Sequence, residues 1–367
     1  MASPKTMKAY QHSGGSGGSG RSGGMDKAIR LVDNLPIPQV PALDNPTKPS
    51  VLVAVSAVSL NPADYKIPES RLLTALLLHK PSTPCLDFTG RIVQLPQPST
   101  SGSSASKDLE GLKLGDLVIA RHSWFFAHGA LAQYSLAQPN GLVKLPEGVT
   151  PEQGAALGTA GLTAIQSLQP WLRRGDRVFL NGGSGGVGTF SIQIAKLLGA
   201  EHVTVSCSGA NAQLCRDLGA DEVVDYRAGD VVGQLKAVAE KVGRPFDHIV
   251  DNVGNLSRVF EESEAYLREG GTYVQVAGSA DSVGAIVAMV RRTLLPTWLG
   301  GVNRKWTSMI AKNDNEALGK MAGWIAEGKL KVVIDSEYSF EDADKAFAKL
   351  KSGRARGKIL IDVAGSK

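Results

Sequence analysis

The 367-residue chain has little sulfur, almost no net charge and no long apolar run. Its three cysteines, Cys85, Cys207 and Cys215, cannot build a disulfide framework, which points to a reducing compartment. They also cannot supply a four-thiolate zinc site. Forty Lys and Arg against 35 Asp and Glu leave a formal charge of +5, and the basic residues do not cluster. A nucleic-acid footprint requires clustering, so no nucleic-acid partner is expected. No segment reaches the ~20 consecutive apolar residues of a membrane helix, and the first eleven residues lack a signal-peptide core. The expectation is a soluble, cytoplasmic protein without membrane contact. Apolar residues make up 43% of the chain, enough for a core in each of two domains and too many for overall disorder.

Glycine is plentiful, with 42 residues. One share lies in the low-complexity run SGGSGGSGRSGG at 13–24, a hairpin tip or a linker between strand-like 8–11 and 27–32. A second polar loop, PQPSTSGSSASK, occupies 96–107. Neither is given a function. The first 150 residues read as β-rich, with strands over 51–58, 88–95 and 116–120. From Pro151 the pattern changes to helix 152–168, strand 177–181, helix 189–198, strand 202–207, helix 211–218 and strand 222–224. It continues with helix 231–242, strand 246–251, helix 256–268 and strand 272–277. Such alternation means an α/β fold with a parallel sheet and right-handed crossovers. The chain ends in a helix over 340–352 and a strand over 358–363. That strand needs a sheet partner, and the β-rich N-terminal domain is its expected host.

The informative glycines are in 182–188, GGSGGVG. Gly183-Ser184-Gly185-Gly186-Val187-Gly188 fits the G-x-G-x-x-G dinucleotide fingerprint, follows a strand and opens a helix. Glycine lets the backbone approach a pyrophosphate, and the helix N-terminus offers free N–H groups; a tight structural turn is the alternative. An NAD-binding chain places an acid at the end of the next strand, on the ribose 2′-hydroxyl. Here that end reads Ser206-Cys207-Ser208-Gly209-Ala210-Asn211, with no acid until Asp217. NADPH is therefore the favoured cofactor, with Arg216 and Arg227 as candidate cations for its 2′-phosphate.

These segments resemble the zinc-independent medium-chain dehydrogenase/reductases, in their quinone oxidoreductase and enoyl reductase branch. The matching stretches are Asn61-Pro-Ala-Asp-Tyr-Lys66, Pro84-Cys-Leu-Asp-Phe-Thr-Gly90, Gly115-Asp116 and Ala155-Ala-Leu-Gly-Thr-Ala-Gly-Leu-Thr163. Gly182–Gly188, Leu218-Gly-Ala-Asp-Glu-Val-Val-Asp-Tyr226 and Arg356-Gly-Lys358 follow in order, so the resemblance covers nearly the whole chain. The chain is also similar to fungal oxidoreductases and trans-acting enoyl reductases of polyketide pathways. The resemblance implies a GroES-like β-rich catalytic domain over 1–150, completed by 298–367, around a Rossmann doubly wound sheet over 151–297. It also implies a cleft between them holding NADPH and substrate. By position, cofactor contacts fall on Asn61 to Lys66 (Asp64 among them), Thr163, Ser206, Ser208, Asn211, Tyr226, Gly278 and Lys358. Ala210 departs from the pattern, because relatives often carry Lys or Arg there.

Zinc-binding members place a cysteine and a Gly-His-Glu segment on the metal; the corresponding NPADYK and CLDFTG segments hold no such ligand set. Cys85 with His79, His122 and His128 shows no ligand spacing, so no metal is expected and Cys85 reads as a core residue. Without a Lewis acid, hydride addition to a C=C conjugated with a carbonyl, or to a quinone, is the easier chemistry. Tyr65, Asn61 and Lys66 are the candidates for polar catalysis, with Tyr65 equally readable as a packed aromatic. Asp64 reads as a helix cap, a ribose-orienting group or an acid. The aromatic run at 122–128, with His122, Trp124, Phe125 and Phe126, suits the wall of an apolar substrate pocket, or else core or subunit contact. The apolar 283–299, broken by Pro296, is a second wall or a dimer surface. Together they suggest a bulky small-molecule substrate. A homodimer and a monomer both suit such a fold, and a polyketide synthase carrier protein is a further partner the resemblance admits. Two other readings stay open: an alcohol dehydrogenase or carbonyl reductase, and a non-catalytic NADPH-binding sensor or scaffold.

Overall fold

The computed structural model describes residues 5–12, 24–41, 50–69, 81–96, 108–123, 129–254, 257–276 and 302–365. The chain divides into two compact units, Met1–Leu162 with Lys312–Lys367, and Thr163–Ala311. Of the expected loops at 13–24 and 96–107 and the aromatic run at 122–128, residues 13–23, 97–107 and 124–128 lie outside the described residues, as does the apolar 283–299.

In the first unit, β1 (Thr6–Gln11) and β2 (Arg30–Pro36) pair antiparallel, on either side of the short helix α1 (Met25–Ala28). The sheet of this unit forms from β3 (Val51–Ser59), β4 (Asp87–Gln94), β5 (Leu117–Arg121), β6 (Tyr134–Ala137) and β7 (Leu142–Lys144). Between β3 and β4 lies helix α2 (Ala63–Glu69). The small and β-branched residues of β3 suit a strand buried on both faces, and Val51, Val53 and Val58 are fully buried. Helix α3 (Pro151–Leu168) starts at a capping box. The Gln153 N–H donates to Thr150 Oγ1 at 3.3 Å, and the Thr150 N–H donates to Gln153 Oε1 at 3.0 Å.

The second unit alternates β8 (Arg177–Asn181), α4 (Gly186–Leu197), β9 (His202–Cys207), α5 (Ala212–Asp217), β10 (Glu222–Asp225) and α6 (Val231–Val242). It continues with β11 (Phe246–Asp251), α7 (Ser257–Glu261), β12 (Leu267–Val276) and β13 (Lys305–Met309). All strand pairs in this sheet are parallel, in the order β10-β9-β8-β11-β12-β13. Numbered within the unit, that is 3-2-1-4-5-6, the Rossmann order, and it reverses between β8 and β11. Every residue of β8 and β11 is buried, as central parallel strands must be.

Three details differ from the sequence reading: Lys27 and Ala28, read as the start of a strand, lie in α1, and two more concern the second unit. The helix expected over 256–268 ends at Glu261, and β12 already starts at Leu267. Helical periodicity counted Leu267 as a helix-face residue, but it pairs with Phe246, and the Phe246 N–H donates to the Tyr266 carbonyl at 2.7 Å. Pairing with a buried neighbour outweighs local period. The sixth strand, β13, lies past residue 298, where the sequence reading had turned back to the first unit.

The returning segment adds α8 (Asn315–Ala326), β14 (Ile334–Ser339), α9 (Ala343–Lys351) and β15 (Lys358–Asp362). As the terminal strand requires, β15 joins the N-terminal sheet, antiparallel to β3 and parallel to β14. Among the described residues, no helix is long and apolar enough to cross a membrane.

Candidate functional site

In the second unit the glycine turn begins where β8 ends. A Cβ on Gly188 would stand 2.1 Å from the Gly182 carbonyl oxygen, and one on Gly183 would stand 2.8 Å from Val205 Cβ. The turn can therefore fold back on itself only with glycine at 183 and 188. Gly185 is the N-cap of α4, and no side chain caps the helix, so its first N–H groups stay available to an anion.

The turn is braced across four strands. Ser206 Oγ accepts from the Gly182 N–H at 2.9 Å and donates to Asn181 Oδ1 at 2.5 Å. Asn181 Nδ2 donates to Asp251 Oδ1 at 2.7 Å, and the Tyr273 hydroxyl donates to Asp251 Oδ2 at 2.8 Å. The Val253 and Gly254 N–H groups also donate to Asp251 Oδ1, at 3.0 and 2.9 Å. This lattice sits at the carboxyl ends of β8 and β11, the switch point where open α/β sheets bind ligands. Asn211 Nδ2 donates to Ser184 Oγ at 3.1 Å, while its Oδ1 is buried without a partner among the described residues. A cradle that excludes Cβ atoms, an uncapped helix and an orphaned acceptor fit a dinucleotide. Ser208 is buried just ahead of the turn Gly209–Asn211, Thr163 is buried in α3, and Tyr226 is half-exposed with the Arg227 guanidinium 5.9 Å over its ring. Gly278 lies outside the described residues.

The first unit gathers a different set. Pro62 opens the turn into α2, and Asp64 reaches back so that the Asn61 N–H donates to its Oδ2 at 2.7 Å. With its backbone held this way, Asn61 has its side chain free for other partners. Its Nδ2 donates to Asp87 Oδ2 at 2.8 Å, and its Oδ1 accepts from Lys358 Nζ at 2.6 Å. Lys358 Nζ also donates to the Leu60 carbonyl at 2.9 Å. Asp87 further accepts from the Thr159 N–H and hydroxyl, both at 2.8 Å, and Arg121 Nε lies 3.9 Å from its Oδ1. Arg121 Nε donates to Thr159 Oγ1 at 3.0 Å, and the guanidinium also donates to Asn313.

Burial dominates the electrostatics here. It pushes the Asp64 carboxyl up to about 7, with Asp87 adding to the rise against the Asn61 N–H and Lys358. It lowers Lys358 against the pull of Asp87 and Asp64, and it drives the Cys85 thiol well up. Cys85, Cys207 and Cys215 are all buried free thiols. Among the described residues, no three of His, Cys, Asp or Glu converge as a metal-ligand group.

The structure thus brings Asn61, Asp64 and Lys358 together and leaves the neighbouring candidates outside this network. Tyr65 packs half-buried against the core, 5.9 Å beneath Lys351 Nζ, and burial, followed by Glu69, raises its phenol pKa. Lys66 is exposed. His122 is buried, its Nε2 2.9 Å from Ser135 Oγ and its ring stacked on Phe88 at 5.0 Å. Trp124, Phe125 and Phe126 lie outside the described residues. Sequence reasoning did not single out Asp87, Arg121, Thr159 or Asp251. The available signal was a charged residue at the end of a strand: Asp87 opens β4, and Arg121 and Asp251 close β5 and β11.

Residues 47–147 match the alcohol dehydrogenase GroES-like domain, and residues 218–361 match the zinc-binding dehydrogenase family. The trans-enoyl reductase pgmF of Aspergillus terreus is 39% identical over 364 residues, covering 98% of this chain and 97% of its own. The chain belongs to the medium-chain dehydrogenase/reductase family, in its quinone oxidoreductase and enoyl reductase branch. This medium-chain reductase is also similar to a mitochondrial NAD(P)H oxidoreductase of Bos taurus, 30% identical over 370 residues, 93% of this chain and 87% of that protein. The quinone oxidoreductase structure from Coxiella burnetii superposes with a TM-score of 0.77 at 28% identity, over 98% of this chain and 100% of that one. As a medium-chain dehydrogenase/reductase, the protein is an oxidoreductase.

Proposed function

We propose that this oxidoreductase uses NADPH to reduce an activated C=C, in an enone, enal or enoyl thioester, or a quinone, on a bulky apolar small molecule. The observation that carries the reading is a turn with no room for a Cβ at Gly183 or Gly188, leading into an uncapped helix at the switch point of a 3-2-1-4-5-6 sheet. The choice of reaction draws support from the trans-enoyl reductase and quinone oxidoreductase relatives, matched over nearly their whole length. When bound, the nicotinamide supplies the hydride, which a conjugated alkene accepts at its β-carbon to give a delocalised enolate.

The residues of the chain then have distinct tasks. Gly183, Ser184, Gly185, Gly186, Val187 and Gly188 take the pyrophosphate. Ser206 holds the turn in shape through the Gly182 N–H. Ser208, Asn211 and Tyr226 serve the adenosine end, with Arg216 and Arg227 as partners for a 2′-phosphate. Thr163, Gly278 and Lys358 complete the cofactor contacts, and Asp64 acts on this set by fixing the backbone of Asn61. Asn61, Tyr65 and Lys66 supply polar help to the developing enolate oxygen and the proton for the α-carbon. His122, Trp124, Phe125 and Phe126 form part of the apolar wall. Substrate presented on a carrier protein, and a homodimeric assembly, belong to the same reading.

The test is a panel of enones, enals, quinones and enoyl thioesters incubated with protein and NADPH, followed by loss of absorbance at 340 nm. Turnover on at least one conjugated substrate, with simple ketones inert, is the expected result. NADPH binding without turnover across the panel would overturn the catalytic reading in favour of a cofactor-binding sensor or scaffold.

A further inference from the structure

The sequence has no acid at the end of β9, yet the fold places one there. Strands β9 and β10 run parallel with Asp225 paired opposite Cys207, two residues before Gly209. A Cβ on Gly209 would stand 2.6 Å from Asp225 Oδ2, so the carboxylate lies directly against the Ser208–Gly209 turn. Only glycine at 209 permits this approach. Asp225 Oδ1 accepts from the Arg227 N–H at 2.8 Å, an Asx-turn that anchors the carboxylate by one oxygen. Among the described residues, no hydrogen-bond donor reaches the other oxygen, the one facing Gly209.

In a Rossmann sheet, the turn after the second strand meets the adenosine ribose, and an acid there favours a 2′-hydroxyl over a 2′-phosphate. We infer that Asp225, supplied by the third strand, is the residue that limits how strongly this protein prefers a 2′-phosphorylated ribose. This rests on the dinucleotide reading above and deepens it. Arg216 and Arg227 favour the phosphate through charge attraction, and Asp225 opposes it through repulsion of like charge. The outcome is an NADPH-using site whose discrimination against NADH is held down by one carboxylate.

The test measures binding by isothermal titration calorimetry, with 2′,5′-ADP and 5′-ADP as the two probes and no turnover involved. D225N keeps an acceptor for the Arg227 N–H, so the turn survives while the charge is lost. The affinity ratio of 2′,5′-ADP over 5′-ADP is expected to rise on the order of tenfold in D225N, the size of one nearby charge acting on a phosphate at a partly exposed site. G209A, whose methyl group would displace the carboxylate, is expected to move the ratio the same way and carries the test if D225N does not fold. Both probes binding with a ratio changed by less than about twofold in these variants would overturn the role of Asp225 and leave the dinucleotide reading intact. Failure of both probes to bind the wild-type protein would overturn the two together.

Discussion

Replacing Asp87 with asparagine removes the one carboxylate that joins Asn61, Thr159 and Arg121. Asp87 is wholly buried and Arg121 is 1% exposed, so water cannot compensate the guanidinium once its partner is neutral. Losing one member of a buried ion pair costs about 3–5 kcal/mol, because the remaining charge stays desolvated. The 3.9 Å separation of Arg121 Nε from the carboxylate argues for the lower end of that range. In addition, an asparagine can keep one oxygen for the Thr159 N–H and Asn61 Nδ2, which share Asp87 Oδ2, but it then puts its NH2 at the Oδ1 position, on the side of the Arg121 guanidinium. D87N is therefore expected to destabilise the first unit by about 3 kcal/mol. Urea unfolding measures the loss, and hydrogen exchange at β3 and β4 amides reports the first unit by itself. A cost below about 1 kcal/mol by both measurements would refute the claim that Asp87 compensates a buried charge.

Three further outcomes follow from the same geometry. G188A places a methyl group 2.1 Å from the Gly182 carbonyl, so dinucleotide binding should fall at least about a hundredfold by calorimetry; wild-type affinity would refute the cradle. The Asp64 pKa is raised from 3.8 to about 7, so its contribution to stability is complete below pH 4 and is lost as pH rises to 7. Relative to D64N, wild-type stability should thus decline by up to about 1.4 kcal/mol per pH unit across that window, and a flat difference would contradict the burial argument. Y65F should lower kcat about a hundredfold with little change in KM if the phenol protonates the α-carbon; an unchanged kcat would return Tyr65 to a packing role.

Local pattern was enough for most elements of the second unit. Five- and six-residue runs rich in Val, Ile, Leu and Phe, separated by amphipathic helices, have few alternatives to a parallel sheet, and β8, β9 and β11 lie where periodicity put them. The glycine turn was legible because its requirement is steric and short-range. Periodicity failed at β12 because the burial of Tyr266 and Leu267 is set by β11, not by their neighbours in sequence. It gave no signal for β13, whose KWTSM has no apolar alternation and becomes a strand by pairing with β12.

The candidate site divides along the same line. In the NPAD segment a helix cap was one of the readings open for Asp64, and it was legible because a capping contact spans only three residues. That the Asn61 side chain bridges Lys358 and Asp87 depends on contacts 297 and 26 residues away. Only the tertiary structure could decide those contacts. It also decided that Asp225, eighteen positions beyond the strand end at Cys207, presses its carboxylate against Gly209. Short-range sterics and hydrogen bonds are written in the sequence, while the charges that surround a buried group are set by which strands the sheet places side by side.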